Sequence, residues 1–188
     1  MLIKHDECSL LLIDAQARLL PALDGAAGMA AACDLLLRAA RELRVPVLAT
    51  AQYPKGLGGV VPALAGLLPP GSTIEKIAFD AMAEPGVPAR ITALGRPKVV
   101  LCGAEAHVCV LQSAFGLLAA GYTVIVAADA VASRDAEDRL RGLARMERAG
   151  MLVATSEMVV FEWLRRADTA AFKAMIPYIK RLKENERK

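Results

Sequence analysis

The sequence predicts an α/β fold: a single doubly wound domain with about six parallel strands and helices on both faces of the sheet. Three observations carry this expectation. Short apolar runs alternate along the chain with helical patterns, the signature of repeated βαβ units. Apolar residues make up 55% of the chain with few aromatics and many Ala, Val and Leu, as helices packed on a buried parallel sheet require. A length of 188 residues suits one domain, 1–188 with C-terminal helices at 156–185, large enough to bury a core without staples.

The elements follow in order. Ser9-Leu-Leu-Leu-Ile-Asp14 reads as a buried first strand, and the Ala/Leu segment from about Gly28 to Leu43 as a helix. Val45–Thr50 is a second strand, with Pro46 at its start, where a missing donor is tolerated. A Gly/Pro-rich loop follows, Tyr53–Gly59, and then the short strand Thr73–Lys76. Lys98–Gly103 is a strand, His107–Ala120 a helix, and Tyr122–Ala128 the clearest strand of all. Arg134–Ala149 is a charged amphipathic helix, and Met151–Ala154 is the last strand. Ser156 and Asp168 are expected N-caps of two terminal helices.

Composition and charge restrict the function. The net charge is +3, and the basic residues Arg41/Arg44, Arg139/Arg141/Arg145/Arg148 and the tail Lys180–Lys188 are interleaved with acids. They read as solvated helix faces, so no nucleic-acid partner is expected. No apolar run approaches the ~20 residues that cross a bilayer, so no membrane partner is expected. The apolar start up to Ile13 runs into Asp14 without a small-residue cleavage site, unlike a signal peptide. Cys8, Cys33, Cys102 and Cys109 lack CxxC pairing and read as free thiols of a reducing, cytoplasmic setting. His5 and His107 are the only histidines, with no ligand spacing, and Asp14-Ala-Gln-Ala-Arg18 carries no glycine fingerprint. Neither a metal nor another cofactor is expected.

Parallel open sheets bind ligands beyond the carboxyl ends of their strands. Asp14 and Lys76 each end a strand, and Cys109 falls in the first turn of the helix after the strand ending near Cys102. A thiol at a helix N-terminus has its pKa lowered by the dipole. Lys76 could support the thiolate and Asp14 could carry its proton. Each residue also has a structural alternative: a cap, a solvated lysine, a small core residue. Asp129 reads as a cap for the Ser133-Arg134 turn. His107 lies two positions from Cys109, so the two side chains point to different helix faces and form no dyad.

At this point the motifs Leu-Leu-Ile-Asp14-Ala-Gln16, Gln52-Tyr-Pro-Lys-Gly-Leu-Gly58, Lys76 with Phe79, and Gly103-Ala-Glu-Ala-His-Val-Cys109 become informative together. So do Asp129-Ala-Val-Ala-Ser133-Arg134 and the segment Ala149–Glu157. The chain resembles the isochorismatase-like cysteine hydrolases over nearly its whole length, and most of all the metal-free isochorismatase domain-containing branch. The resemblance implies an Asp-Lys-Cys triad of Asp14, Lys76 and Cys109. It also implies a cis peptide between Ala104 and Glu105, with the Glu105 and Cys109 amides forming an oxyanion hole. Gln16, Gln52, Tyr53 and Phe79 would line the pocket of a small-molecule substrate.

Ala51 stands where a Glu commonly precedes the Gln of that loop, and the Ala49–Gly59 segment lacks the metal ligands of nicotinamidase relatives. The retained cysteine points to hydrolysis of a small amide or related acyl compound through a thioester. Two alternatives stay open: a non-catalytic or redox-sensing thiol, and vinyl-ether hydrolysis using Asp14. The 156–183 segment carries Met158, Phe161, Trp163, Phe172, Met175 and Tyr178, which either pack on their own sheet or support a homo-oligomer.

Overall fold

The computed structural model describes residues 2–185; Met1 and the last residues of the basic tail, 186–188, lie outside it. The strands are β1 (Cys8–Ile13), β2 (Val47–Gln52), β3 (Thr73–Lys76), β4 (Lys98–Ala104), β5 (Thr123–Ala132) and β6 (Leu152–Ala154). The helices are α1 (Ala26–Glu42), α2 (Pro54–Leu57), α3 (Pro62–Ala65), α4 (Val87–Ala93), α5 (Cys109–Ala119), α6 (Ala136–Arg148), α7 (Ser156–Leu164) and α8 (Ala170–Asn185). The six strands are parallel and ordered β3-β2-β1-β4-β5-β6. The order reverses between β1 and β4, where a doubly wound sheet opens its crevice.

Strand parity divides the core. Leu10 and Leu12 of β1 join Val100, Cys102, Ile125 and Ala127 on the face covered by α1, α7 and α8. Leu11 and Ile13 join Val99, Leu101, Val124 and Val126 on the face covered by α4, α5 and α6. Continuous apolar strands arise because both faces are covered, so neither parity can be polar. Trp163 and Met175 are buried in the first cluster, and Phe172 and Tyr178 pack against it, whereas Met158 and Phe161 remain exposed.

Several boundaries differ from the sequence expectation, each for a local reason. β2 begins after Pro46: the Val45 N–H closes the end of α1 on the Ala40 carbonyl, while the Pro46 carbonyl accepts from Leu10 N. β5 continues past a register shift opposite Leu101–Gly103 as far as Ala132, so Asp129 lies in a strand and not before a turn. Its carboxylate accepts from the Ser156 N–H and hydroxyl, both at 2.6 Å, and ties β5 to α7, not to Arg134. With the Ser156 hydroxyl so engaged, Thr155 becomes the cap of α7, accepting from Met158 N. Thr169 accepts from Phe172 N at the start of α8, while Asp168 pairs with Arg166. α2, α3 and α4 were not anticipated; each has Pro in its first turn, where the missing N–H costs nothing.

Candidate active site

Asp14 follows β1 directly, with φ +46°. β2 lies beside it, so Thr50 donates its hydroxyl to Asp14 Oδ1 at 2.7 Å. Lys76 ends β3, one strand further out, and its side chain reaches across β2. Its Nζ stands 2.7 Å from Asp14 Oδ2, and neither side chain is exposed at all. The lysine also donates to Gln52 Oε1 at 2.6 Å and to the Ala78 carbonyl at 3.2 Å. Burying two charges costs several kcal/mol per ion unless they are paired and hydrogen-bonded, and these contacts supply that compensation. The contact at Oδ2 is ionic without hydrogen-bond alignment, so among the described residues that oxygen has no hydrogen-bond donor.

The third residue arrives from the other side of the sheet's reversal point. Gly103 near the end of β4 has φ +113°, and a Cβ there would lie 1.9 Å from the Ile13 carbonyl oxygen. Only glycine allows β4 to run this close to the end of β1, which brings the chain after β4 up to Asp14. The Ala104–Glu105 peptide is cis. The Glu105 carbonyl accepts from Val108 N and Val110 N, both at 3.1 Å. Cys109 then opens α5, where first-turn amides have no intrahelical acceptor.

Cys109 is 7% exposed. Burial pushes its thiol up to about 12; the Asp14 carboxylate beside it adds to the rise, and Lys76 opposes it. This overturns the lowered value expected from helix position. The lysine is committed to Asp14, and the buried thiol is held in its protonated form. His107 turns away from it: Nδ1 meets Ser133 Oγ at 2.9 Å and Nε2 lies 3.5 Å from Asp138 Oδ2.

Two of the four expected pocket residues also hold neighbouring chain. Gln16 is fully buried, donating from Nε2 to the carbonyls of Gln52 and Gly58 and accepting from Gln52 N. The Gln52 side chain accepts from Lys76 and donates to the Ile77 carbonyl. These bonds hold the 53–59 loop and the lysine; Gln52 keeps one amide N–H and one lone pair beyond them. Tyr53 and Phe79 stay exposed at 53% each, and Ile77 is exposed further, at 66%. Thr50, Glu84 and Ser113 were missed. Glu84 accepts from Ile77 N and Ala78 N, and Ser113 Oγ accepts from Ala81 N, so together they shape the turn after Lys76. Thr50 had a signal, being a polar residue inside the apolar run Val47–Ala51.

A cavity of about 540 Å³ lies between the start of α1 and the end of β5, lined by Asp24, Met29, Asp129 and Arg139 among others. It includes none of Asp14, Lys76 and Cys109, so chemistry and not volume marks the candidate site. Among the described residues no group of three His, Cys, Asp or Glu could hold a metal ion, and no helix is long and apolar enough to cross a membrane.

Known proteins share this arrangement of chain. A zebrafish (Danio rerio) isochorismatase domain-containing protein 2 is 38% identical over 167 residues, covering 87% of this chain and 82% of its own. A structure described as the MAR1 ribonuclease of Caenorhabditis elegans superposes with a TM-score of 0.88 at 35% identity, covering 95% and 92% of the two chains. An Escherichia coli protein, described as an octameric hydrolase of unknown specificity, shares the fold at 22% identity and a TM-score of 0.88, with 100% and 97% covered. The isochorismatase domain model matches residues 8–158, and with that span of similarity the chain belongs to the isochorismatase family of hydrolases, on the branch of the isochorismatase domain-containing proteins.

Proposed function

We propose that the protein is a cysteine hydrolase of small amides or related acyl compounds, working through a thioester on Cys109. The observation that carries this reading is the buried Asp14–Lys76 pair, whose Oδ2 lacks a hydrogen-bond donor and whose charges act on the Cys109 thiol. A thiol that rests protonated needs a base at the moment of attack, and Asp14 supplies it. Sγ adds to the substrate carbonyl carbon as the thiol proton passes to Asp14. The Glu105 and Cys109 amides receive the oxyanion; such preorganised donors are worth about 3 kcal/mol each. The intermediate collapses as the amine leaves with the proton from Asp14. Asp14 then takes a proton from water, which attacks the thioester, releases the acid and restores the thiol. Lys76 compensates the carboxylate and holds it in place.

Tyr53, Phe79 and Ile77, on the segments that follow β2 and β3, expose apolar surface that suits a small apolar acyl or amine group of a substrate. Exposed Met158 and Phe161 on α7 support a homo-oligomer, in keeping with the octamer described for the E. coli neighbour. The C. elegans relative's description raises RNA cleavage as another activity to assay. The site favours acyl chemistry, because its lysine is buried against Asp14, Gln52 and a carbonyl instead of facing an anionic backbone. Intact-mass analysis after incubation with a library of small amides and activated esters tests the proposal. An acyl increment on Cys109 is expected; turnover without any adduct, persisting in Cys109→Ala, would overturn it.

A further inference from the structure

The turn that carries the proposed oxyanion donors, Ala104–Cys109, is short, and its outer side is gripped by one continuous stretch of chain. The Ala106 N–H donates to the Ala132 carbonyl at 2.9 Å. Glu105 Oε1 accepts from Arg134 Nε at 2.9 Å and from Arg134 N at 3.3 Å. His107 bridges the fully buried Ser133 and the α6 residue Asp138. One turn further along α6, buried Gly142 lets the helix backbone approach the turn. A Cβ there would stand 2.9 Å from the Ala106 carbonyl oxygen and 3.2 Å from His107 Cα.

Gly142 is a poor helix former in the middle of α6, and the close approach gives it a reason to be there. Four contacts from residues 132–142 therefore hold residues 105–107 from the side of β5 and α6. The two ring nitrogens of His107 face away from the thiol, which removes it from proton transfer. Its place is between the turn and α6, where it fixes the peptide that leads into Val108 and Cys109.

We propose that His107 is a positioning residue for the oxyanion-binding turn, locked by Ser133 and Asp138, with Gly142 admitting α6 as the wall behind it. The inference rests on the acyl-transfer reading above. It predicts that loosening this wall slows steps that pass through an oxyanion and spares those that do not.

Two probes of the same thiol separate these cases. In p-nitrophenyl acetate, Sγ forms a bond to the acetyl carbon, the thiol proton goes to Asp14, and the bond to the nitrophenolate oxygen breaks through a tetrahedral oxyanion. In iodoacetamide, the thiol proton again goes to Asp14 while Sγ bonds to the methylene carbon and displaces iodide directly, with no oxyanion. His107→Ala and Gly142→Ala are each compared with wild type in the full chain, beside Asp138→Ala as an exposed change that leaves the core untouched. The expected result is a burst rate lowered about ten- to a hundred-fold in the first two, a smaller loss in Asp138→Ala, and alkylation rates within two-fold of wild type. Faster amide hydrogen exchange confined to residues 104–110 is expected with it. Unchanged burst rates and unchanged exchange would overturn the proposal, as would alkylation falling in parallel with acylation. If wild type alkylates but shows no burst, the acyl reading has failed instead. Hydrogen exchange at 104–110 then decides by itself whether the wall fixes the turn.

Discussion

The two halves of the candidate site are built on opposite principles. On the β1–β2–β3 side, Asp14, Thr50, Gln52 and Lys76 form a closed set of buried polar groups. On the β4–α5 side, Cys109 sits at the end of a turn and keeps 7% of its surface open. The first half stores charge, which is stable only while each group keeps its partners. The second half presents the atom that, in the proposed reaction, changes partners. The difference teaches that the cost of buried ions is met by contacts within one half, so the thiol in the other carries none of that pairing.

Cys109→Ala should break the comparison most cleanly. Turnover of any true substrate is expected to fall by about 10³-fold or more, while circular dichroism and the unfolding midpoint stay near wild type. Full activity in this variant would show that the reactive atom is not the thiol.

Lys76→Met should have the opposite signature. It leaves Asp14 buried without its counter-charge, which costs about 3–5 kcal/mol and appears as a lower urea midpoint. The double variant Asp14→Asn with Lys76→Met should recover much of that stability but no activity. A single-variant loss below ~1 kcal/mol would mean the first half is not a closed charge store.

Thr50→Val removes only the hydroxyl that donates to Asp14 Oδ1. Hydrogen bonds to charged groups contribute about 1.5–3 kcal/mol, so a loss of about 2 kcal/mol is expected, measured by the same urea titration.

The last effect is pH-linked and leaves stability at neutral pH untouched. The Cys109 thiol is raised in the folded protein from an ordinary 9.0 to about 12. The folded state therefore holds its proton more tightly than the unfolded chain does. Stability from this group is complete below pH 9 and falls as pH rises toward 12. Cys8, raised to about 11 by burial, adds a slope of the same sign. Urea midpoints measured across this range should decline less steeply in Cys109→Ala than in wild type. An identical slope would mean the thiol is not held protonated by its surroundings.

Much of the fold was legible because the signals were local. Apolar runs named five of the six strands, the short Thr73–Lys76 having only weak local support, and Asp14, Lys76 and Cys109 stand at or near element ends. What misled was also local reasoning. Asp129 after a strand looked like a turn cap, but β5 runs on to Ala132 and presents the carboxylate to α7. Nothing local showed that the Gln16 and Gln52 amides hold backbone and lysine. His107 beside Cys109 in sequence belongs to α6 in space.

The sequence alone determined which residues could end a strand or open a helix, since periodicity, proline placement and glycine conformation are properties of neighbouring residues. Only the tertiary structure decided that Asp14 meets Lys76 across β2 and Cys109 across the reversal between β1 and β4. It also reversed the direction of the thiol's pKa shift. Strand order, register and burial depend on residues far apart in the chain, and a charge's environment follows from them.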